Sequence, residues 1–139
     1  MRIQLYFFGK PRDPHANAMA EDYVRRVSRY ARMEMSEIRP GRTDPWEKHP
    51  AACRICLDPA GKRMDSAGFM ALLARGEREA KDLVFVIGGA DGLPEGWDAR
   101  ADLLLSLSPM TYPHELARVM LAEQIYRGFA TLRGHPYAK

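Results

Sequence analysis

An apolar run that leads into a proline-rich segment, residues 103–114, constrains the fold of this chain more than any other feature. Leucines dominate its first half, as in a buried strand, and Pro109 and Pro113 follow a few residues later. Each proline fixes its own φ, lacks a backbone N–H, and pushes the residue before it, Ser108 or Tyr112, toward an extended backbone. We therefore expect a rigid, open loop between a strand and a helix, where small ligands often bind.

Apolar runs alternate with segments of helical periodicity along the rest of the chain, which predicts an α/β fold with a mostly parallel sheet and helices on both faces. The predicted strands are 2–8, 33–38, 52–57, 83–87 and 101–107, the predicted helices are 16–31, 66–75 and 114–132, and residues 40–50 are a predicted loop. Residues 83–87 are nearly all apolar, as in a strand buried on both faces.

The loops that follow the third, fourth and fifth strands, at Asp58, Gly88 and Ser108, should meet at one edge of this sheet and form a pocket. Gly88, Gly89 and Gly92 follow the fourth strand, but their spacing matches neither a dinucleotide-binding turn nor a P-loop. They allow either a close backbone approach to a ligand or a tight turn with positive φ.

Length and composition indicate one globular domain, residues 1–139, with 46% hydrophobic and 28% charged residues. The formal charge of +3 allows an anionic partner such as nucleic acid without requiring one. No stretch reaches the roughly 18 apolar residues of a membrane-spanning helix, and the first residues do not resemble a secretory signal. We expect a soluble, cytoplasmic protein that does not bind membranes.

Two cysteines, Cys53 and Cys56, have the spacing of a redox or zinc pair. They fall within a predicted strand, where residues three apart face opposite sides of the sheet. We therefore favour reduced, buried strand residues and expect no metal site.

Four arginines, Arg25, Arg26, Arg29 and Arg32, would form a basic face on the first predicted helix. This face could follow a phosphate backbone. A solvated helix face, partly neutralised by Glu21 and Asp22, is the interpretation that we favour.

Several linked motifs, in order along essentially the whole chain, resemble the RlmH family, which methylates N3 of a pseudouridine in bacterial large-subunit ribosomal RNA. The motifs are Leu57-Asp58 with Gly61-Lys62, Phe85 to Gly89 with Asp91-Gly92, Leu105 to Ser108, Thr111 with Pro113-His114, Arg118-Val119, Glu123-Gln124 with Tyr126-Arg127, and Pro136-Tyr137.

This resemblance implies a SPOUT fold with a C-terminal trefoil knot, a homodimer, 23S ribosomal RNA in the ribosome as the substrate, and S-adenosyl-L-methionine as the methyl donor. His114, Arg127 and Tyr137 would hold the nucleotide or its phosphate, while the proton acceptor stays open. The implied cofactor-binding residues are Leu57, Gly88, Gly89, Leu107, Ser108, Pro109, Met110, Thr111, Tyr112 and Pro113.

One departure concerns the chain's end, where family members usually have a histidine and this chain has Ala138. We expect the missing histidine to serve in substrate positioning, so that the chemistry is retained. Two alternatives stay open, namely a SPOUT methyltransferase for another RNA position and a ribosome-binding assembly factor without catalysis.

A dimer would let the second subunit supply RNA contacts while the first holds the cofactor. The apolar stripe of Leu116, Val119 and Met120 on the last helix is a candidate dimer interface. Burial of the same stripe in the protomer's own core explains it equally well.

Overall fold

A five-stranded sheet with the strand order β2-β1-β4-β3-β5 organises the structure, a computed structural model that describes residues 1–39, 41 and 44–137. Every strand pairing is parallel, which confirms the predicted fold class. The elements are β1 (Arg2–Phe8), α1 (Pro14–Val27), β2 (Arg32–Ile38), α2 (Pro45–Lys48), β3 (Cys53–Arg63), α3 (Ser66–Arg78), β4 (Leu83–Ile87), a 3₁₀ turn (Asp98–Arg100), β5 (Leu103–Ser106) and α4 (His114–Leu132).

The core lies on both faces of the sheet. All five residues of β4 are buried, because this central strand is covered by side chains on each side. Cys53 packs against the cluster that contains Leu121 and Phe129 of α4, whereas Cys56 packs with Trp46 on the other face. The two cysteines are free and face opposite sides, as predicted, and burial raises the pKa of Cys56 to about 12.

The first helix differs from its prediction at both ends. Asp13 caps α1 by accepting hydrogen bonds from the N–H groups of His15 and Ala16, so the helix begins at Pro14. It ends at Val27, because the chain must turn back there to place Arg32 beside β1. The prediction of a basic face with four arginines on this helix was therefore wrong, because the helix ends before two of them.

Of its four arginines, Arg25 and Arg26 remain on the helix, and both pair with Asp22. Arg29 follows the helix and Arg32 belongs to β2. The pairing with Asp22 agrees with a solvated, partly neutralised helix face.

The middle of the chain contains two features that periodicity did not indicate. A short helix, α2, lies inside the predicted loop 40–50, capped by Asp44, whose side chain accepts the N–H of Trp46. In β3, both Leu57 and Lys62 pair with Leu105 of β5, so the residues between them bulge out of the strand. The loop predicted after the third strand, at Asp58, is therefore a bulge within a longer strand.

Among the described residues, no helix combines the length and the apolar character needed to cross a bilayer. The ends of β1, β4 and α4 agree with their predictions to the residue. The long helix α4 packs against both α1 and α3, and it connects the loop after β5 with the end of the chain.

Candidate cofactor pocket

A pocket of about 550 Å³ lies at the carboxyl edge of β3, β4 and β5. It is bounded by the bulge of β3, the glycine turn after β4 and the proline-rich loop after β5. The sequence prediction that these three loops meet at one edge of the sheet is confirmed. Parallel strands explain this meeting, because their carboxyl ends all lie on the same side.

The glycine turn is tight because its backbone folds onto itself. Gly89 accepts the N–H of Gly92 at 3.0 Å, and Gly92 has a φ of +79°, which glycine adopts without strain. A Cβ on Gly88 would stand 2.7 Å from the carbonyl carbon of Gly92. The turn therefore needs glycine at Gly88 for space and at Gly92 for conformation.

Hydrogen bonds hold the other two loops. The Ser106 hydroxyl, which is buried, donates to the carbonyl of Pro59 at 3.0 Å and so fastens the bulge of β3 to β5. The Ser108 hydroxyl accepts the N–H of Met110 at 3.0 Å, which shapes the start of the proline-rich loop. Pro113 is the N-cap of α4, and its carbonyl accepts the N–H of Ala117.

Nine of the ten residues predicted to bind the cofactor line this pocket: Leu57, Gly88, Gly89, Leu107, Ser108, Met110, Thr111, Tyr112 and Pro113. Pro109 belongs to the same loop but is not among the lining residues. The lining also contains residues that lie outside the motifs, namely Pro59, Ala90, Leu93 and Ala117. Ala117 could have been found from helical periodicity, since it lies one turn after Pro113.

The three residues predicted to hold the nucleotide do not lie together in the protomer. His114 lines the pocket, and its Nε2 atom lies 3.9 Å from where a Cβ on Gly9 would stand. Arg127 and Tyr137 are not among the pocket residues, and they contact each other instead, with the guanidinium 5.4 Å from the centre of the phenol ring.

Glu123 joins Arg127 and Tyr137 into a tail cluster, which we define as Tyr23, Glu123, Tyr126, Arg127 and Tyr137. The Tyr137 hydroxyl donates to Glu123 Oε2 at 2.7 Å, and Arg127 donates to the same oxygen at 2.8 Å. The ring of Tyr126 lies edge-on to that of Tyr137, with 4.6 Å between centres. Burial, together with hydrogen bonds to Tyr23 and Glu123, raises the pKa of Tyr137, so its phenol remains a donor at neutral pH.

Ala138, which stands where family members usually have a histidine, lies outside the described residues. The predicted positioning role of that histidine stays a prediction. Within the described part of the chain, no three His, Cys, Asp or Glu side chains are grouped to hold a metal ion.

A family model described as "Predicted SPOUT methyltransferase" matches residues 1–138. The chain belongs to this family of SPOUT methyltransferases, as its motifs predicted. A relative from Solibacter usitatus, named "Ribosomal RNA large subunit methyltransferase H", is 68% identical over 139 residues, which is the full length of both chains. A relative of the same name from Thermus thermophilus is 40% identical over 99% of this chain and 98% of its own.

Solved structures share the fold at much lower sequence identity. A methylase family protein from Neisseria gonorrhoeae superimposes with a TM-score of 0.58 at 11% identity, over 91% of this chain and 81% of its own. One from Haemophilus influenzae has the same TM-score at 9% identity, over 99% of this chain and 70% of its own. These likenesses concern the fold, and the trefoil knot that the family implies stays a prediction for this chain.

Proposed function

We propose that this protein is an S-adenosylmethionine-dependent enzyme that methylates N3 of a pseudouridine in 23S ribosomal RNA on the assembled ribosome. The observation that carries the proposal is the 68% identity, over the full length of both chains, with a relative named as a large-subunit ribosomal RNA methyltransferase. Because its substrate is the ribosome, we place the protein in the cytoplasm. We also propose that one domain, residues 1–139, carries the whole activity.

The pocket fits S-adenosylmethionine by size and by lining. A volume of about 550 Å³ suits a ligand of this size. Leu57, Leu105 and Leu107 offer an apolar surface for a flat base, while the Gly88 turn brings backbone within reach of polar ligand atoms. We therefore assign the predicted cofactor-binding residues, with Pro109 as a support of the loop, to this ligand.

When bound, this cofactor supplies a methyl group on a positively charged sulfur, which is reactive without a metal. The protein's part is to align the base with the methyl group and to help remove the N3 proton. His114, at the pocket wall, is placed to contact the nucleotide. Arg127 and Tyr137 hold RNA from the tail cluster, so we assign them to positioning.

A homodimer would add RNA-binding surface to this small protomer. Leu116 and Met120 are 47% and 37% exposed on α4, and Met19 of α1 is 52% exposed, whereas Val119 is buried in the protomer. We assign the exposed apolar face of Met19, Leu116 and Met120 to the dimer interface. Light scattering should give twice the protomer mass, and Leu116→Glu with Met120→Glu should halve it; a protomer mass for the unchanged protein would contradict this assignment.

Transfer of a labelled methyl group from S-adenosylmethionine to intact ribosomes, compared with naked ribosomal RNA, tests the proposed function. We expect label on intact ribosomes, and mass mapping should place it on N3 of one pseudouridine. Label on another nucleotide would favour a different RNA position. Absence of both label and calorimetric cofactor binding would favour the assembly factor.

A further inference from the structure

The loop between β1 and α1, residues 9–13, borders the cofactor pocket from a side that the family motifs do not include. β1 is paired with β4 in parallel, with Phe7 opposite Ile87, so this loop leaves the sheet at the same edge as the glycine turn. A Cβ on Gly89 would stand 3.2 Å from Cβ of Phe8. Gly9 itself neighbours His114 of the pocket wall.

Two cations in this loop are exposed, Lys10 and Arg12. Among the described residues, neither side chain forms an ion pair. The two carboxylates next to them bind backbone groups instead. Asp13 accepts the N–H groups of His15 and Ala16, and Glu115 accepts those of Arg12 and Asp13. The cations are therefore available to an anionic partner.

Contacts with α4 also fix the position of this loop. Glu115 of α4 accepts the Arg12 N–H at 2.7 Å and the Asp13 N–H at 3.2 Å. Behind it, the guanidinium of Arg118 is 1% exposed, lies 4.0 Å from the centre of the Phe7 ring, and has one nitrogen 3.8 Å from the Glu115 carboxylate. The first turn of α4, which starts at the pocket, thus fixes the basic loop beside that pocket.

We propose that this basic loop binds RNA phosphates next to the nucleotide that is methylated, with Glu115 as its positioning residue. The inference rests on the proposed function, because it names the surface that holds the same RNA substrate. Two exposed cations beside the pocket suit phosphates on either side of a base that enters it. Phosphate contacts of this kind set the position of the RNA without reading its sequence.

The test compares Lys10→Ala with Arg12→Ala against a matched pair, Arg78→Ala with Lys81→Ala. The control pair also removes one exposed lysine and one exposed arginine, but from the end of α3 and the connection to β4, at the opposite edge of the sheet. We measure binding to the RNA of intact ribosomes as a function of salt, cofactor affinity by calorimetry, and methyl transfer to ribosomes.

We expect the loop pair to weaken RNA binding about tenfold and to lower the slope of log affinity against log salt by about 1.5, since two phosphate contacts are lost. Cofactor affinity should not change, and the control pair should resemble the unchanged protein. Equal RNA binding by the loop pair and the control pair, or no RNA binding by the unchanged protein, would overturn the inference. Failure of methyl transfer by the unchanged protein, with RNA binding intact, would overturn the proposed function alone.

Glu115→Ala separates positioning from charge. Removal of a negative charge beside the loop should by itself strengthen RNA binding, whereas loss of the two backbone hydrogen bonds should weaken it. We expect affinity to fall about threefold with the salt slope kept, because both cations remain. A rise in affinity would show that Glu115 does not position the loop.

Discussion

The two ends of α4 carry different kinds of site. At its first turns, backbone loops close a pocket around Pro113 and His114, and a buried arginine, Arg118, braces them from behind. Toward its last turns, Arg127 and the tail residue Tyr137 form a cluster of side chains on the surface of the helix. Residues that are close in the motif order of one helix therefore belong to two separate sites.

The largest difference between the two ends should appear in stability. Arg118→Ala removes a buried guanidinium that packs on Phe7 and donates to Asn17 at 3.2 Å, so we expect the free energy of unfolding to fall by about 3 kcal/mol. Arg133→Ala, at the other end of α4, breaks a surface pair with Glu77 and should cost less than about 1 kcal/mol. Urea unfolding measures both, and equal losses would contradict the different roles of the two ends.

The pocket end should be the one that decides cofactor affinity. Gly88→Ala would place a Cβ against the backbone of Gly92 and displace the turn, so we expect affinity to fall about 100-fold, or about 2.7 kcal/mol. Gly96→Ala is the control, because Gly96 has open space around it and lies outside the pocket, although its positive φ strains an alanine there. Calorimetry with S-adenosylmethionine compares them, and unchanged affinity in Gly88→Ala would mean that the cofactor binds elsewhere.

The tail end should affect RNA methylation without affecting the cofactor. Tyr137→Phe removes the hydroxyl that donates to Glu123, so stability should fall by about 1 kcal/mol and kcat/KM for ribosomes by about tenfold. Cofactor affinity should stay the same. Tyr30→Phe is the control, because that ring stacks on Phe129 and, among the described residues, its hydroxyl makes no hydrogen bond. A lower cofactor affinity in Tyr137→Phe would place the tail in the pocket.

The smallest effect should be a pH dependence at the pocket end. Backbone hydrogen bonding, first from Arg12, holds the pKa of Glu115 below its ordinary value of 4.5. A lowered pKa in the folded state stabilises the protein above that ordinary value, and this stability is lost as the pH falls through the folded-state pKa. Glu115→Gln should lack this contribution, so its stability deficit should shrink toward acid pH in urea unfolding. A deficit that grows toward acid pH would contradict the assignment.

Much of the pocket could be predicted because its causes are local. The apolar run of β4, the glycines after it and Pro109 and Pro113 after β5 all mark strand ends, and parallel strands bring such ends together. The bulge of β3 was missed because it depends on the neighbouring strand: both Leu57 and Lys62 pair with Leu105 of β5. The end of α1 at Val27 was missed because the position of β2, not helical propensity, decides it.

The grouping of His114 with Arg127 and Tyr137 rested on motif order. The rise of an α-helix argues against this grouping, since thirteen residues at 1.5 Å place Arg127 about 20 Å along α4 from His114. Glu123 belongs to the same sequence motif as Arg127, but the motif did not indicate that it joins Arg127 to Tyr137.

Apolar periodicity, proline and glycine act over a few neighbouring residues, so the α/β class, the central strand, the last helix, the three loops that form the pocket and the family could be recognised from the sequence. Long-range packing, by contrast, places Glu115 against the loop at residues 9–13, with Arg118 beside it, and brings Tyr137 back to α4. The hydrogen bond of Glu115 to Arg12 joins residues 103 positions apart, and that of Tyr137 to Glu123 joins residues 14 positions apart. Packing of the helices on the sheet, which no local pattern encodes, brings them together.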